Sequence, residues 1–283
     1  MPSSIAVGNN AFSNYLKVAM LSRNKRGAVF SNFSNEEKAT FIKVNLSLQL
    51  VKRANLTTEQ KEFILDTISK VSADIYNKSD AAKEERSRLI GMDTERKALK
   101  LFPYEELGDF IEPLMSNKNN EVALLQKYQD LLKNGDSTRR KIAKEMPVSE
   151  RVTIWKVQMA YYLATGKFSK VQNEFISEWL TSLSPETFAS RANLTTEEEA
   201  KALQSLESKI FNVFTKEEGF AIFMTIGIQD SIPDDLAPGG SCNCRWYCCA
   251  DGNCSSGCIN KPNLCGPNDD WECSGRCSHP TIH

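Results

Sequence analysis

The residues best able to do chemistry in this chain are its nine cysteines, which all lie near the C-terminus. The first 241 residues contain no cysteine. The nine are Cys242, Cys244, Cys248, Cys249, Cys254, Cys258, Cys265, Cys273 and Cys277. A segment this short cannot bury enough apolar surface to hold a fold without cross-links. The pattern therefore predicts a small, irregular, cross-linked module over residues 242–283.

Disulfide bonds are the first of three chemistries that these thiols can support. Nine cysteines allow four bridges with one thiol left over, and eight cysteines can pair in 105 ways, so the connectivity stays open. Zinc is the second, with ligands from the pairs at 242–244, 254–258 and 273–277 and from His279, but the C-x2-C spacing typical of zinc ribbons is absent. Thioether rings are the third, and the tail has only six Ser and Thr residues for nine thiols. We predict disulfides, with no metal and no cofactor.

Histidine is almost absent from the chain, which limits the catalytic chemistry that it can perform. The two histidines, His279 and His283, lie in the last five residues. The long region before the tail therefore has no Ser-His-Asp or Cys-His arrangement and no metal site that needs imidazole or thiolate. Carboxylate and lysine chemistry stay open there, but no spacing singles out a pair. We predict that the protein is not an enzyme.

The region before the tail has the pattern of an all-α protein. Residues 57–75 place Phe63, Ile64 and Ile68 on one face at helical spacing. Thr57 and Gln60 have the spacing of a capping box, in which the two side chains satisfy backbone N–H groups at the start of a helix. The spacing predicts a capped amphipathic helix in this segment.

The same design recurs further along the chain, from Ser169 onward. Ser169 and Gln172 again have capping-box spacing, and Phe175 and Ile176 match Phe63 and Ile64 at the same interval. The motif F-x-x-E-E at 102–106 also recurs at 214–218. We predict a helical body built from a duplicated unit of about 112 residues. The expected organisation is an N-terminal segment at 1–33, helical repeats at 34–145 and 146–230, a linker at 231–241 and the Cys-rich module at 242–283.

The composition argues against several classes of partner. The formal net charge is −1, which gives no electrostatic reason to bind nucleic acid or an anionic membrane. No window approaches the 18 or so uninterrupted apolar residues of a transmembrane helix. The segment from Met1 to Leu21 lacks the basic and apolar regions of a secretory signal peptide.

The tail resembles a family of bacterial proteins, the bacteriocin fulvocin C-related proteins. The resemblance covers roughly the last 42 residues, from the C-x-C at 242–244 to the C-x-G-x-C at 273–277, and the body resembles the family only weakly. The family implies a disulfide-rich bacteriocin carried at the end of a larger precursor. It suggests release within the linker, with Gly239-Gly240 as the candidate processing site and Ser241 as the new N-terminus. Pro238 and Asp234 do not fit a double-glycine leader, so a simple hinge is the alternative.

Three functions follow from these observations. The first is a bacteriocin-like precursor, whose tail acts on an unknown target on a competing bacterial cell and which depends on an exporter or a processing protease. Trp246, Tyr247 and Trp271 are the candidate target contacts, unless they form the small core of the tail. The second is a secreted or cell-surface binding protein in which the tail is a permanent recognition module. The third is an intracellular metal or redox sensor. The first predicts a secreted or cell-surface location.

Overall fold

Helices form the chain between residues 11 and 223. The computed structural model describes residues 11–53, 55–76, 81–111, 113–114, 118–191 and 196–227, and four short tail segments, 253–256, 264–265, 271–272 and 275–278. Up to residue 227 the described residues contain helices and turns and no strand. The predicted all-α class is therefore confirmed for this part of the chain. None of its described helices combines the length and the apolar character needed to cross a bilayer.

The described residues contain thirteen α-helices and two short 3-10 helices. The α-helices are α1 (Ala11–Ala19), α2 (Arg23–Ser31), α3 (Asn35–Lys52), α4 (Thr58–Lys70), α5 (Ala81–Leu101), α6 (Gly108–Ile111), α7 (Asn119–Leu132), α8 (Asp136–Glu145), α9 (Val148–Thr165), α10 (Lys170–Ser182), α11 (Pro185–Arg191), α12 (Thr196–Phe211) and α13 (Lys216–Phe223). The 3-10 helices are Ala73–Tyr76 and Tyr104–Glu106. Helices α1 and α2 lie within 1–33, which the sequence analysis set apart as an N-terminal segment.

Capping boxes start several of these helices where the sequence predicts them. At α4 the Gln60 backbone N–H donates to Thr57 Oγ1 at 3.2 Å, and the Thr57 N–H donates to Gln60 Oε1 at 2.9 Å. At α10 the Gln172 N–H donates to Ser169 Oγ at 3.3 Å, and the Ser169 N–H donates to Gln172 Oε1 at 2.9 Å. Both predicted boxes are confirmed. Each satisfies donors that have no partner within the helix itself.

The contacts divide the chain into two compact units. Unit 1 comprises residues 1–129 and 159–181, and unit 2 comprises residues 130–158 and 182–283. Aromatic side chains fill the core of unit 1, where the rings of Tyr15 and Phe41 stack at 4.8 Å and those of Phe102 and Phe110 at 4.2 Å. In unit 2, Phe214 and Phe223 pack edge to face at 5.3 Å. Trp155 and Trp179 are both buried.

Three consecutive helices and a later set of three begin at a nearly constant interval. Helices α2, α3 and α4 begin at Arg23, Asn35 and Thr58, and α8, α9 and α10 begin at 136, 148 and 170. Corresponding helices therefore begin about 112 residues apart, with one residue more for the first two pairs than for the third.

The described part of the tail contains four short strands in two pairs. Strand β1 (Asn253–Ser256) pairs antiparallel with β4 (Gly275–Ser278). Strand β2 (Leu264–Cys265) pairs antiparallel with β3 (Trp271–Glu272). In the sequence, β2 and β3 therefore lie between β1 and β4.

Candidate functional site

The pairing of β1 with β4 places two of the nine cysteines opposite each other in the strand register. In this register Cys254 is the direct partner of Cys277. In the other pair Cys265 is the direct partner of Trp271, one of the three candidate target contacts. The remaining site residues of the sequence analysis lie outside the described residues; they are Cys242, Cys244, Cys248, Cys249, Cys258, Cys273, Gly239, Gly240, Ser241, Trp246 and Tyr247.

Directly opposed residues on antiparallel strands satisfy the spacing of a disulfide. Their Cα atoms are about 4.5 Å apart in a non-hydrogen-bonded pair and about 5.5 Å apart in a hydrogen-bonded pair. Disulfides join residues whose Cα atoms are about 4.4 to 6.8 Å apart. The register of Cys254 and Cys277 is therefore compatible with a bridge between them. Among the described residues, no group of three or more His, Cys, Asp or Glu side chains is arranged to hold a metal ion.

A partly buried cluster of charged and polar side chains lies in unit 1, at the start of α7. We call it the Lys118 cluster; its members are Lys118, Asn45, Lys52, Asp109 and Glu121. The Lys118 Nζ donates to Asn45 Oδ1 and lies 3.9 Å from Asp109 Oδ1. The Lys52 Nζ contacts Glu121 Oε1 at 2.8 Å and Asp109 Oδ2 at 3.4 Å. The cluster connects α3, α6 and α7 through hydrogen bonds and ion pairs.

Burial controls the electrostatics of this cluster. Only 1% of Lys118 is exposed, and desolvation lowers the pKa of its amine to about 8, although the carboxylates of Glu121 and Asp109 act in the opposite direction. The Tyr15 hydroxyl donates to Asn45 Oδ1 at 3.4 Å, and burial raises the pKa of Tyr15 well above its usual value. Glu121 Oε2 has no hydrogen-bond partner among the described residues. The Lys118 amine is closed to solvent, so we assign the cluster a structural role.

Sequence reasoning did not find the Lys118 cluster. Its members come from positions 45, 52, 109, 118 and 121, which only the folded chain brings together. Helical spacing relates Asn45 to Lys52 and Lys118 to Glu121, but no motif relates these pairs to each other or to Asp109. The only local signal is a run of polar residues within α3, where Asn45, Ser47 and Gln49 are each fully buried. Buried polar groups of this kind require partners, which is how a cluster could be suspected.

A single buried glutamine organises the end of the helical body in unit 2. The Gln158 Nε2 donates to the carbonyl oxygens of Ile222 at 3.0 Å and Thr225 at 2.7 Å. Gln158 Oε1 accepts a hydrogen bond from the Gly227 backbone N–H at 2.7 Å. Gly227 has a φ of +113°, and a Cβ there would lie 2.4 Å from Arg139 Nη1, so glycine is required. These three hydrogen bonds hold residues 222–227 against α9.

Unit 1 also contains a cavity, which we call the α3–α5 cavity after the helices that border it. Its volume is about 390 Å³. Most of its wall is apolar and comes from Ile42, Leu46, Val71, Ile75 and Phe110. The remaining lining residues are Asn45, Thr67, Lys70, Tyr76, Gly91, Thr94, Glu95 and Pro113. The cavity is a concave, largely apolar space with a few polar groups, which is the usual form of a small-molecule site.

Comparison with known proteins identifies no relative. No family model matches the chain, and neither a curated protein nor a solved structure is significantly similar to it.

Proposed function

We propose that this chain is a bacteriocin-like precursor, in which a helical body carries a disulfide-stabilised antibacterial tail. The observation that carries the proposal is the partition of the cysteines, with none in the first 241 residues and all nine between positions 242 and 277. Such a partition suits a protein whose two parts have different fates. The body needs no oxidation to fold, whereas the tail depends on it.

The described tail residues support the role of the disulfides. In the register of β1 and β4, Cys254 is opposite Cys277, so a bridge there closes a loop that contains Cys258, Cys265 and Cys273. Such a bridge stabilises mainly by restricting the unfolded chain. Acidic residues slightly outnumber basic ones in the tail, which favours a specific target over general attraction to anionic membranes.

The proposal treats the body as a duplicated scaffold. Three further correspondences support a duplication, all at the interval that relates the start of α3 to the start of α9. Buried Arg26 corresponds to buried Arg139, and buried Asn45 corresponds to buried Gln158. Asn45 donates to the carbonyl of Asp109, Gln158 donates to the carbonyl of Ile222, and these two acceptors are related by the same interval. We propose that the duplicated unit spans about residues 11–114 and 124–227.

The test is the intact mass of the protein secreted by its native source, measured before and after reduction. We expect a species that begins at Ser241 and that gains eight hydrogens on reduction, because nine cysteines allow four bridges. The purified species should inhibit the growth of related bacteria. An uncut chain would instead support the second function, a secreted or cell-surface binding protein with a permanent recognition module.

A matched pair of variants tests whether the precursor is cut after Gly240. Gly240→Val adds a branched side chain at the proposed cleavage site and should leave the precursor uncut. Gly27→Val is the control, because a Cβ at Gly27 meets no other atom within 4 Å. Normal release of the tail from Gly240→Val would contradict cleavage after the double glycine.

A further inference from the structure

Among the described residues, the α3–α5 cavity is lined by residues of the helical body and by none of those on which the precursor proposal depends. We infer that it binds a small, neutral molecule that has an apolar body and a hydrogen-bond acceptor. The inference concerns a ligand of the body itself, and it goes beyond the function proposed for the tail.

The size and the wall of the cavity favour a small molecule over a protein segment. Its volume of about 390 Å³ falls at the lower end of the range of small-ligand sites, about 300 to 1,000 Å³. The apolar wall comes from α3, from the 3-10 helix Ala73–Tyr76 and from the residues around α6, so it surrounds a ligand on several sides. Ile42, Leu46 and Phe110 offer the apolar contacts that drive such binding.

The polar groups of the lining favour a neutral ligand with an acceptor. The Lys70 amine contacts Asp66 at 2.7 Å, and Glu95, the other ionic residue among the described lining residues, has the opposite charge, so these residues carry no net charge. Burial raises the pKa of Tyr76 to about 12, which keeps its phenol protonated at neutral pH. Tyr76 and Thr94 thus bring hydroxyl donors to the cavity, and a carbonyl, ether or alcohol oxygen suits them.

Comparison of the two proposed repeats shows that the cavity depends on small residues. This step rests on the proposed duplication. When α3 is aligned with α9 and α4 with α10 by their first residues, Ile42 and Thr67 correspond to Trp155 and Trp179, both buried. Gly91 corresponds to Leu203 at the interval that relates α4 to α10. The first repeat therefore has smaller side chains at three positions that border the cavity.

Gly91 is the position at which the dependence of the cavity on small residues can be tested most directly. It lies inside α5, where glycine is unfavourable relative to alanine. A Cβ at this position would meet no other atom within 4 Å, so neither a tight approach nor a positive φ requires the glycine. The residue is exposed and lines the cavity, so we expect a longer side chain there to reduce the open volume.

The experiment is a fluorescence titration of the full-length protein with N-phenyl-1-naphthylamine, a neutral apolar probe. We expect saturable binding to one site. Gly91→Leu places the residue of the second repeat in the open volume, and we expect it to weaken binding at least about tenfold while the melting temperature stays equal or rises. Thr67→Trp should weaken binding to a similar degree.

Two control variants separate filling of the cavity from general effects. Gly91→Ala improves the helix but adds only a methyl group, so the probe should still bind. Glu62→Trp places a tryptophan on an exposed position of α4, the same helix as Thr67, and should leave binding unchanged. If Thr67→Trp does not fold, Gly91→Leu alone decides the result. The inference is overturned if the natural protein shows no saturable binding. It is also overturned if a folded Gly91→Leu binds the probe as tightly as the natural protein does.

Competition between the probe and other small molecules tests the chemical class of the ligand. 1-Decanol should displace the probe at least about ten times more effectively than decanoate, because the described lining residues carry no net charge to pair with a carboxylate. The reverse order would overturn the assignment to a neutral ligand. Probe binding does not involve the tail, so failure here leaves the precursor proposal intact, and an uncut or inactive tail leaves this inference intact.

Discussion

At the scale of single residues, the Lys118 cluster shows how a few buried polar groups stabilise this body. The Lys118 amine and the Glu121 carboxylate are removed from water, and such groups cost stability unless they are paired and hydrogen-bonded. The Asn45 amide is the centre of the cluster, because its oxygen accepts from Lys118 and Tyr15 while its nitrogen donates to the Asp109 carbonyl at 2.7 Å. The cluster therefore specifies how α3 and the segment before α7 meet.

Lys118 should give the protein a distinct stability profile above neutral pH. Burial lowers the pKa of its amine from 10.5 to about 8, so the unfolded state binds more protons between these two values. The free energy of unfolding therefore rises with pH through that window, by about 2 kcal/mol between about pH 8 and about pH 9.5. Below about pH 8 both states hold the proton, and the contribution to the slope vanishes.

Chemical denaturation at several pH values checks this expectation. The free energy of unfolding of the natural protein, minus that of Lys118→Met, should increase as the pH rises through this window. Lys141→Met removes an exposed lysine and should follow the profile of the natural protein. Parallel profiles for all three proteins would show that Lys118 is not desolvated.

Local spacing explains which residue positions could be foreseen. Phe63, Ile64 and Ile68 were predicted from helical periodicity, and all three are buried. The Lys118 cluster and the α3–α5 cavity could not be foreseen, because their members are tens of residues apart and meet only through tertiary packing. The alternation of apolar and polar residues at 44–51 would by itself favour a strand. These residues instead form a helix that is buried on most sides, so its polar side chains also face protein.

At the scale of elements, the strand pairs of the tail reduce the number of disulfide patterns to consider. Sequence alone leaves 105 pairings of eight cysteines. The register that places Cys254 opposite Cys277 is compatible with a bridge between them, and that bridge would leave six of the eight cysteines to pair. Its formation removes two hydrogens from the two thiols and transfers them to an external disulfide, which is reduced to two thiols.

Peptide mapping of the unreduced, oxidised tail checks this bridge. We expect a cross-linked peptide pair that contains Cys254 and Cys277. The double variant Cys254→Ser and Cys277→Ser should lose one bridge and keep the others, whereas Cys254→Ser alone should leave a free thiol at 277. A map in which Cys254 pairs with another cysteine would contradict the register.

Helix starts were easier to predict than helix partners. The capping boxes at Thr57 and Ser169 depend on residues three apart, so the sequence displays them directly. The equal spacing from α2 to α3 and from α8 to α9 carries no such motif, since Gly135 before α8 offers no capping side chain. It becomes visible only when the helix bounds are known.

At the scale of the whole molecule, the two parts should respond differently to reduction. The first 241 residues contain no cysteine, so the helical body holds together through packing, hydrogen bonds and ion pairs. We expect the thermal unfolding of the helices, followed by far-ultraviolet circular dichroism, to be the same with and without dithiothreitol. Mobility on a non-reducing gel should change, because the tail loses its bridges. A lower melting temperature under reduction would mean that the tail stabilises the helices.

The Gln158 contacts also determine where the body would bear a load. A pull on the chain beyond Gly227 reaches the Gly227 N–H first, and the side chain of Gln158 transfers the tension to α9. Two further hydrogen bonds, from Gln158 to the carbonyls of Ile222 and Thr225, share that tension. Helix α13 is therefore not peeled from its C-terminal end one turn at a time. A machine that pulls on the tail therefore has to break these three hydrogen bonds before it can unravel α13.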